Sequence, residues 1–308
     1  MKAFPELKDK DFEFLTKSVQ NPDLIFSHKL DGTACIMEIS LNGITLTGRG
    51  ILKSGEQQDY TEKFPDISYY QGYQNCELSC TLLGEIVIFD ENGEDRFDLL
   101  QPRLVRKKDI EEFATNFPAQ FIAFDILELN GRNLKQYPLY YRYEMLEIAC
   151  KEIGIYTALQ AQTSETKQHM INMMLEQKWE GIVIKDKTSV YDKESYKYKQ
   201  TFTEDVFTEG DFRSGKGRNE GLVGALRCYQ YIDGIKTDVS YIRGFSDSEC
   251  KQFTEDIAAK IISESNPLIL EVKTYKRIQP SQKFRHANFL RIRTDKSAAQ
   301  CIYNTGKE

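Results

Sequence analysis

Residues 24–40 read LIFSHKLDGTACIMEIS: an apolar, β-prone run ends on Lys29, Asp31-Gly32 interrupts it, and a second such run follows from Ala34 to Ile39. A lysine carries a compact, strongly hydrated charge on a flexible stem, so one set at a strand-to-strand corner with a carboxylate two residues on is a candidate for chemistry. Gly84-Glu85-Ile86-Val87-Ile88 and Glu180-Gly181-Ile182-Val183-Ile184-Lys185 each put a carboxylate at the start of an apolar strand. FIAFDILELNGRNL, residues 121–134, reads as a buried hairpin with Phe124 beside Asp125. Tyr196-Lys197-Tyr198-Lys199 alternates, which on a strand turns both lysines to one face.

Gathered in one cleft, three lysines, at least two carboxylates and an aromatic ring suit a nucleoside triphosphate. The ring can stack on a base, the carboxylates can hold Mg²⁺ through oxygen, and the lysines can meet the phosphates. Lys29 is then the reactive member, because burial and neighbouring cations both favour the neutral amine, which is a nucleophile. Its attack on the α-phosphorus would release pyrophosphate and leave a phosphoramidate on the protein. Each residue also has a plainer role by type. K-x-D-G alone is weakly specific, strand-end acids usually face water, and Phe124 in an apolar run suits a core.

The elements that must position these groups read as short strands and interspersed helices. Asn42-Gly43, Asn92-Gly93, Asn130-Gly131 and Asp233-Gly234 are hairpin dipeptides, supplying the positive φ that two-residue turns need. Helices are expected from Asp109 to Phe117, from Pro138 to near Gly154, from Thr166 to Lys178, and after the capping box Ser246-Asp-Ser-Glu249. Strands and helices do not alternate regularly, which excludes a doubly wound sheet. The chain of 308 residues reads as two domains: an α+β domain of antiparallel hairpins over 1–204, then 205–308 with short strands and one good helix, which suits an OB-type barrel.

Bulk properties narrow the class. No apolar run reaches the length of a membrane helix, and MKAFPELKDKDF lacks the apolar stretch of a secretory signal, so a cytoplasmic chain without membrane contact is expected. The seven cysteines include no CxxC pair, which argues against a zinc module. Net charge is −6, but residues 205–308 carry 17 Lys/Arg against 14 Asp/Glu, and Lys273–Lys296 holds eight cations with Asp295 as its one anion. A basic cluster in an acidic chain points to phosphate. His28, His169 and His286 have no partner at ligand spacing.

In sequence, Lys29-Leu30-Asp31-Gly32 resembles the nucleotidyl-transfer motif of the ATP-dependent DNA ligases, within the superfamily that includes RNA ligases and mRNA-capping enzymes. Gly48-Arg49-Gly50 with KFPDI at 63–67, then LLGEIVIFD, FIAFDILELNGRNL, EGIVIK and YKYK, are similar to its following motifs in order. GKGRNEGLVGALRC, GFSDSE and FRHANFLRIRTDK are similar to its OB domain and last motif. The resemblance covers about residues 24–297. It implies an antiparallel-sheet, ATP-grasp-like nucleotidyltransferase domain followed by an OB-fold barrel.

It also implies roles. Lys29 would carry AMP, with Leu30 in the nucleotide pocket and Asp31 holding the motif. Glu85 would contact the ribose or a metal, Phe124 would stack on adenine, and Glu180 would bind the catalytic metal. Lys197 and Lys199 would meet the α-phosphate, and Arg49 the 5′-phosphate at a nick. Arg285, Arg291, Arg293 and Lys296 would orient pyrophosphate. The implied reaction is sealing of 5′-phosphate/3′-hydroxyl nicks in duplex DNA with ATP and Mg²⁺, by a minimal two-domain monomer with no protein partner legible. Ala34 departs from the pattern, which commonly has arginine there, and Thr33 resembles some RNA ligases. An RNA ligase of the same superfamily therefore stands as an alternative, and an OB-containing nucleic-acid-binding protein with a dead nucleotide pocket as a third.

Overall fold

The structure is a computed structural model describing residues 5–52, 55–69, 77–193 and 195–306. The chain divides into two compact units, Met1–Gln200 and Thr201–Glu308. The first unit opens with β1 (Leu7–Lys10), α1 (Phe12–Ser18), β2 (Leu24–Lys29), β3 (Thr33–Ser40), β4 (Gly43–Ile51), β5 (Gln57–Asp59) and α2 (Pro65–Ser68). It continues through β6 (Cys80–Ile88), α3 (Phe97–Val105), α4 (Ile110–Asn116), β7 (Ala119–Leu129), β8 (Arg132–Asn133) and α5 (Leu139–Ile153). It ends with β9 (Tyr156–Thr157), β10 (Gln160–Ala161), α6 (Ser164–Glu176), β11 (Gly181–Asp186) and β12 (Ser195–Lys199).

These strands form two sheets, β1-β12-β11-β2-β10 and β5-β4-β3-β6-β7-β8, with β9 beside β7. Pairing is antiparallel except for β1 on β12 and β9 on β7. The first sheet is two-faced. Phe26, Ile182 and Ile184 pack under Met170, Ile171 and Met174 of α6. The opposite parity of the same strands carries Lys29, Lys185, Lys197 and Lys199, since residues paired across a ladder share a face. The second sheet buries Met37, Leu46, Leu82, Ile86 and Ile126 against Leu139, Leu146 and Ile153 of α5.

Local signals explain most boundaries. Pro138 is the N-cap of α5, and Gly154, at φ 72°, ends it. α6 begins before the expected Thr166, because Thr163 is its N-cap and Thr166 closes the capping box from inside. Asn130-Gly131 and Asp233-Gly234 have positive φ at both residues, as a type I′ turn requires. The β3–β4 hairpin instead turns on Leu41-Asn42, with Gly43 already paired to Ser40. α1 and α3 have no counterpart in the sequence reading. α3 contains Pro102 and buries Arg103, a residue type that patterning places on the outside. Arg103 donates to Asp66 at 2.9 Å and to the Lys63 carbonyl at 2.9 Å.

The second unit contains β13 (Phe202–Thr208), β14 (Phe212–Ser214), β15 (Val223–Ile232), β16 (Ile235–Ile242) and α7 (Asp247–Ala258). β17 (Leu268–Thr274), β18 (Arg277–Ile278), β19 (Lys283–Phe284), β20 (Asn288–Ile292) and β21 (Ile302–Tyr303) follow. Its sheet runs β14-β15-β13-β17-β20, with β16 and β21 on β15, and an Arg243–Asn288 bridge joins the end of β16 to β20. Val206, Leu226, Ile242, Phe253 and Leu270 fill its core. The Ser246–Glu249 capping box starts α7. This is an OB-type barrel with one helix. The described cysteines are all free and buried, and no helix among the described residues is long and apolar enough to cross a membrane.

One buried ion pair ties α5 to β7. Arg142 Nε donates to Asp125 Oδ1 at 2.8 Å and Nη2 to Oδ2 at 3.0 Å, while Nη1 reaches the Tyr137 carbonyl at 2.7 Å and the Ser189 carbonyl at 3.2 Å. Arg142→Ala strands a buried carboxylate and should cost about 3–5 kcal/mol in urea unfolding. A loss below about 1 kcal/mol would mean that the pair behaves like a surface contact.

Candidate active site

The register of the first sheet sets Lys29, Gly181 and Lys199 in one row across β2, β11 and β12. Glu180 sits one residue ahead of that row and takes both ammonium groups: Lys29 Nζ donates to Oε2, and Lys199 Nζ lies 3.0 Å from Oε1. All three side chains are largely buried. Burial opposes the charged carboxylate, but Lys29 and then Lys199 outweigh it and hold the Glu180 carboxyl below its ordinary range. Gly181 makes the row possible, since a Cβ there would stand 1.9 Å from the Tyr198 carbonyl oxygen. Lys197 shares the face of Lys199 but turns to the neighbouring β1, its Nζ 3.6 Å from Asp9 Oδ1.

After Lys29 the chain passes to the second sheet. Leu30 and Asp31 are buried, and the Asp31 backbone N–H donates to Asp95 Oδ2 at 2.8 Å. A Cβ on Gly32 would meet the Ile86 carbonyl oxygen at 2.3 Å and Glu85 Cγ at 2.7 Å. The corner is thus pressed onto β6, and Ala34 pairs with Glu85. Burial pushes the Glu85 carboxyl up to about 8; Lys29 and Arg49 pull it down, and Glu180 and Asp31 push it further up. Glu85 therefore feels residues from both sheets. Arg49 lies on β4, exposed.

Phe124 sits where β6 and β7 fall out of register: Leu83 faces Asp125 and Gly84 faces Ala123, leaving Phe124 without a partner in the ladder. Such a bulge re-aims a side chain. Its ring is half-buried, packed on the apolar side chains around Leu30 and Val87 and around Leu83 and Tyr191, with Ala34 in the second group. Lys185 Nζ lies 5.2 Å from the Phe124 ring centroid and 5.9 Å from that of Tyr143. Burial lowers the Lys185 ammonium, Asp125 supports its charge and Arg142 opposes it.

The first unit thus brings Lys29, Asp31, Glu85, Glu180 and Lys199 into one electrostatically linked group, with Phe124 packed in the apolar cluster of Leu30 beside it and Lys197 one step along the face. Arg285, Arg291, Arg293 and Lys296 belong to the second unit. There Arg291 pairs with Glu271 at 2.7 Å, Arg293 with Asp205 at 3.0 Å and Asp295 at 2.7 Å, and Lys296 with Asp205. The Arg285 carbonyl accepts from Tyr275 N at 3.2 Å. Sequence reasoning assigned no role to Lys185, Asp95, Asp9 or Arg142. Lys185 had a usable signal, a lysine closing an apolar strand in the same motif as Glu180. Asp95 and Asp9 are single polar residues whose partners lie far along the chain, and Arg142 is a charged residue on a helix, which reads as solvent-facing.

A family model described as ATP dependent DNA ligase domain matches residues 7–200. DNA ligase 2 of Methanosarcina acetivorans is 28% identical over 300 residues, covering 87% of this chain and 51% of its own length. The chain spans about half the length of the curated relatives it matches. Among solved structures, a Lig E DNA ligase described as binding DNA with a minimal scaffold aligns with TM-score 0.62 at 17% identity, over 95% of this chain and all of its own. The ligase domain of M. tuberculosis LigD aligns with TM-score 0.53 at 19% identity, over 98% of this chain and 99% of its own. These structural likenesses are of fold: a nucleotidyltransferase domain and an OB-type barrel.

The raised Glu85 carboxyl has a thermodynamic signature. The folded state keeps a proton that the unfolded chain gives up at ordinary carboxylate pH. Its contribution to stability is present at low pH and is lost as pH rises through about 8. In Mg²⁺-free buffer, Glu85→Gln should therefore gain in Tm on the unsubstituted protein as pH climbs from about 5 to about 9. A difference independent of pH would mean that Glu85 titrates as an ordinary surface acid.

Proposed function

Because the chain belongs to the ATP dependent DNA ligase domain family, we propose that it seals 5′-phosphate/3′-hydroxyl nicks in duplex DNA at the expense of ATP. The observation that carries this reading is the convergence of Lys29 and Lys199 on Glu180 from adjacent strands, with Glu85 coupled electrostatically to Lys29 and Glu180. A nucleophilic amine, a second cation for phosphate oxygens and two carboxylates are what adenylyl transfer to a lysine requires.

In the first step the Lys29 Nζ–phosphorus bond forms and the α–β phosphate bridge breaks, releasing pyrophosphate and a proton. In the second, AMP passes from Lys29 to the 5′-phosphate and the lysine is regenerated. In the third, the 3′-hydroxyl attacks the 5′-phosphorus and AMP departs. Lys197 and Lys199 face the α-phosphate, Phe124 and Leu30 receive the adenine, and Asp31 fixes the corner behind the nucleophile. Arg49, exposed on β4, meets the nick 5′-phosphate, and Arg285, Arg291, Arg293 and Lys296 orient pyrophosphate.

The donor set fits Mg²⁺. The carboxyls of Glu85 and Glu180 are hard oxygen ligands, and a Glu85 raised by burial and by two neighbouring carboxylates is a group whose charge a divalent cation would compensate. Glu85 and Glu180 would hold the ion, which supplies neutralisation of the triphosphate. The reading includes a monomer in the cytoplasm, where free buried thiols are at home.

Ala34 favours a second reading. It packs in the group that holds Phe124 and offers no cation to a sugar or a nick, which leaves an RNA-joining activity of the same chemistry open. The test is a sealing assay with ATP and Mg²⁺ on 5′-labelled, singly nicked DNA and RNA duplexes, run beside covalent labelling from α-labelled ATP. The expected result is joined DNA, with Lys29→Ala losing labelling by at least about 1,000-fold. Labelling retained in Lys29→Ala would place the nucleophile elsewhere. Labelling with joining of RNA alone would select the second reading, and absence of labelling would refute both.

A further inference from the structure

Behind the lysine face of the first sheet, the residue before Lys29 and the residue before Glu180 meet each other. The rings of His28 and Trp179 stack with centroids 3.7 Å apart and planes inclined by 24°. Lys29 and Glu180 pair on one side of the sheet, while Trp179 packs on the α6 side with Phe26, Met174 and Ile182. His28 faces that side too, because neighbours on a strand point to opposite faces. The end of α6 delivers the indole. Lys178 takes a left-handed backbone at φ 53°, and the Trp179 N–H donates to the Met174 carbonyl at 3.1 Å, the closing bond of a Schellman motif.

The stack stands where the ladder ends. The last pairs on either side of β11 are Gly181 with Lys29 and Gly181 with Lys199, so Glu180 lies outside both ladders. Towards β12 its backbone is tied by the Gln200 N–H, which donates to the Glu180 carbonyl at 2.8 Å. Towards β2 the adjacent tie is the indole on the imidazole. Consecutive Cα atoms are about 3.8 Å apart, so the stack fixes two backbone points one residue behind the groups that must meet. Lysine and glutamate stems are rich in rotamers and hold no separation of their own, whereas two packed rings do.

We propose that His28 and Trp179 are positioning residues for the nucleophile, their stack setting the separation at which Lys29 meets Glu180; its use in adenylyl transfer rests on the nick-joining reading above. The stack aligns β2 with the start of β11 before a nucleotide arrives. It thereby keeps the amine within the narrow range of positions from which attack proceeds. A displacement of about 1 Å at a reacting group can cost about a hundredfold in rate. The property that matters at position 28 is a flat ring, which separates this role from any hydrogen bond made by the imidazole.

The test compares His28→Ala, His28→Gln and His28→Phe in the full chain. Position 28 is half-buried, and Trp179, the one tryptophan, reports folding in urea through its emission. In single-turnover labelling from α-labelled ATP, H28A and H28Q should slow lysyl-AMP formation about tenfold or more at saturating nucleotide, with half-saturating ATP unchanged. H28F should restore the rate to within about threefold. Trace acetylation of Lys29 without nucleotide, read by mass spectrometry, should rise at least about threefold in H28A and H28Q, because an amine released from Glu180 is open to the reagent. It should stay at the unsubstituted value in H28F. A full rate in H28Q overturns the proposal, as does a defect in H28F equal to that of H28A. A change confined to half-saturating ATP, or Lys29 acetylation that no variant moves, overturns it as well. A chain that never takes up label, yet shows the expected acetylation pattern, keeps the role of the stack and loses the ligase reading.

Discussion

The first unit is organised around one carboxylate holding two ammonium groups. Glu180 can reach both Lys29 and Lys199 only because β11 lies between β2 and β12 in a register that puts Gly181 level with each lysine. That register in turn requires the apolar parity of the same strands to fall on α6. A slip of one residue would turn the lysines into the helix and the isoleucines outward. The packing that stabilises the sheet and the placement of the charged groups are thus one constraint, and the charged groups inherit their precision from the hydrophobic face.

The second sheet contributes by pressure rather than by pairing. Asp31, held through its N–H by Asp95, and Gly32, with no room for a Cβ, bring the corner down on β6. Glu85 is then desolvated beside the charges that its own pairing partners cannot satisfy. On β7 a break in register frees Phe124 from the ladder, while the next residue, Asp125, is fastened to Arg142. The half-buried ring is therefore backed by a rigid ion pair, with the ammonium of Lys185 near its face.

How much of this the sequence disclosed depends on the range of each signal. The α+β class and the barrel after it follow from the pattern of elements, and the capping box at Ser246 and the turns at Asn130-Gly131 and Asp233-Gly234 from contacts within a few residues, where residue type is informative. Lys29, Glu85, Glu180 and Lys199 were legible as strand-end polar residues, and the ordered motifs supplied their grouping. Their geometry was not legible, because Lys29 and Glu180 are 151 residues apart. Asp95 and Asp9 escaped for the same reason, and Arg142 because a charged residue on a helix reads as solvent-facing. The basic run of Lys273–Lys296 was legible as a charge count and not as a set of pairs. Counting charges by sequence cannot reveal that Asp205 and Glu271, both outside the run, neutralise part of it.

That separation of 151 residues also sets an order of events at the ribosome. At about 5–20 residues per second, the amine of Lys29 emerges roughly 8–30 seconds before its carboxylate partner is made. β2 cannot settle into its sheet in that interval, since β11, β12 and the helix that covers them are not yet synthesised. The β3–β4 hairpin and the pairs β3–β6 and β6–β7 can close first, as all four strands precede β11 in the chain. Lys29 is therefore held beside the second sheet before its own sheet exists, and its pairing with Glu180 forms only when the last strands of the unit arrive.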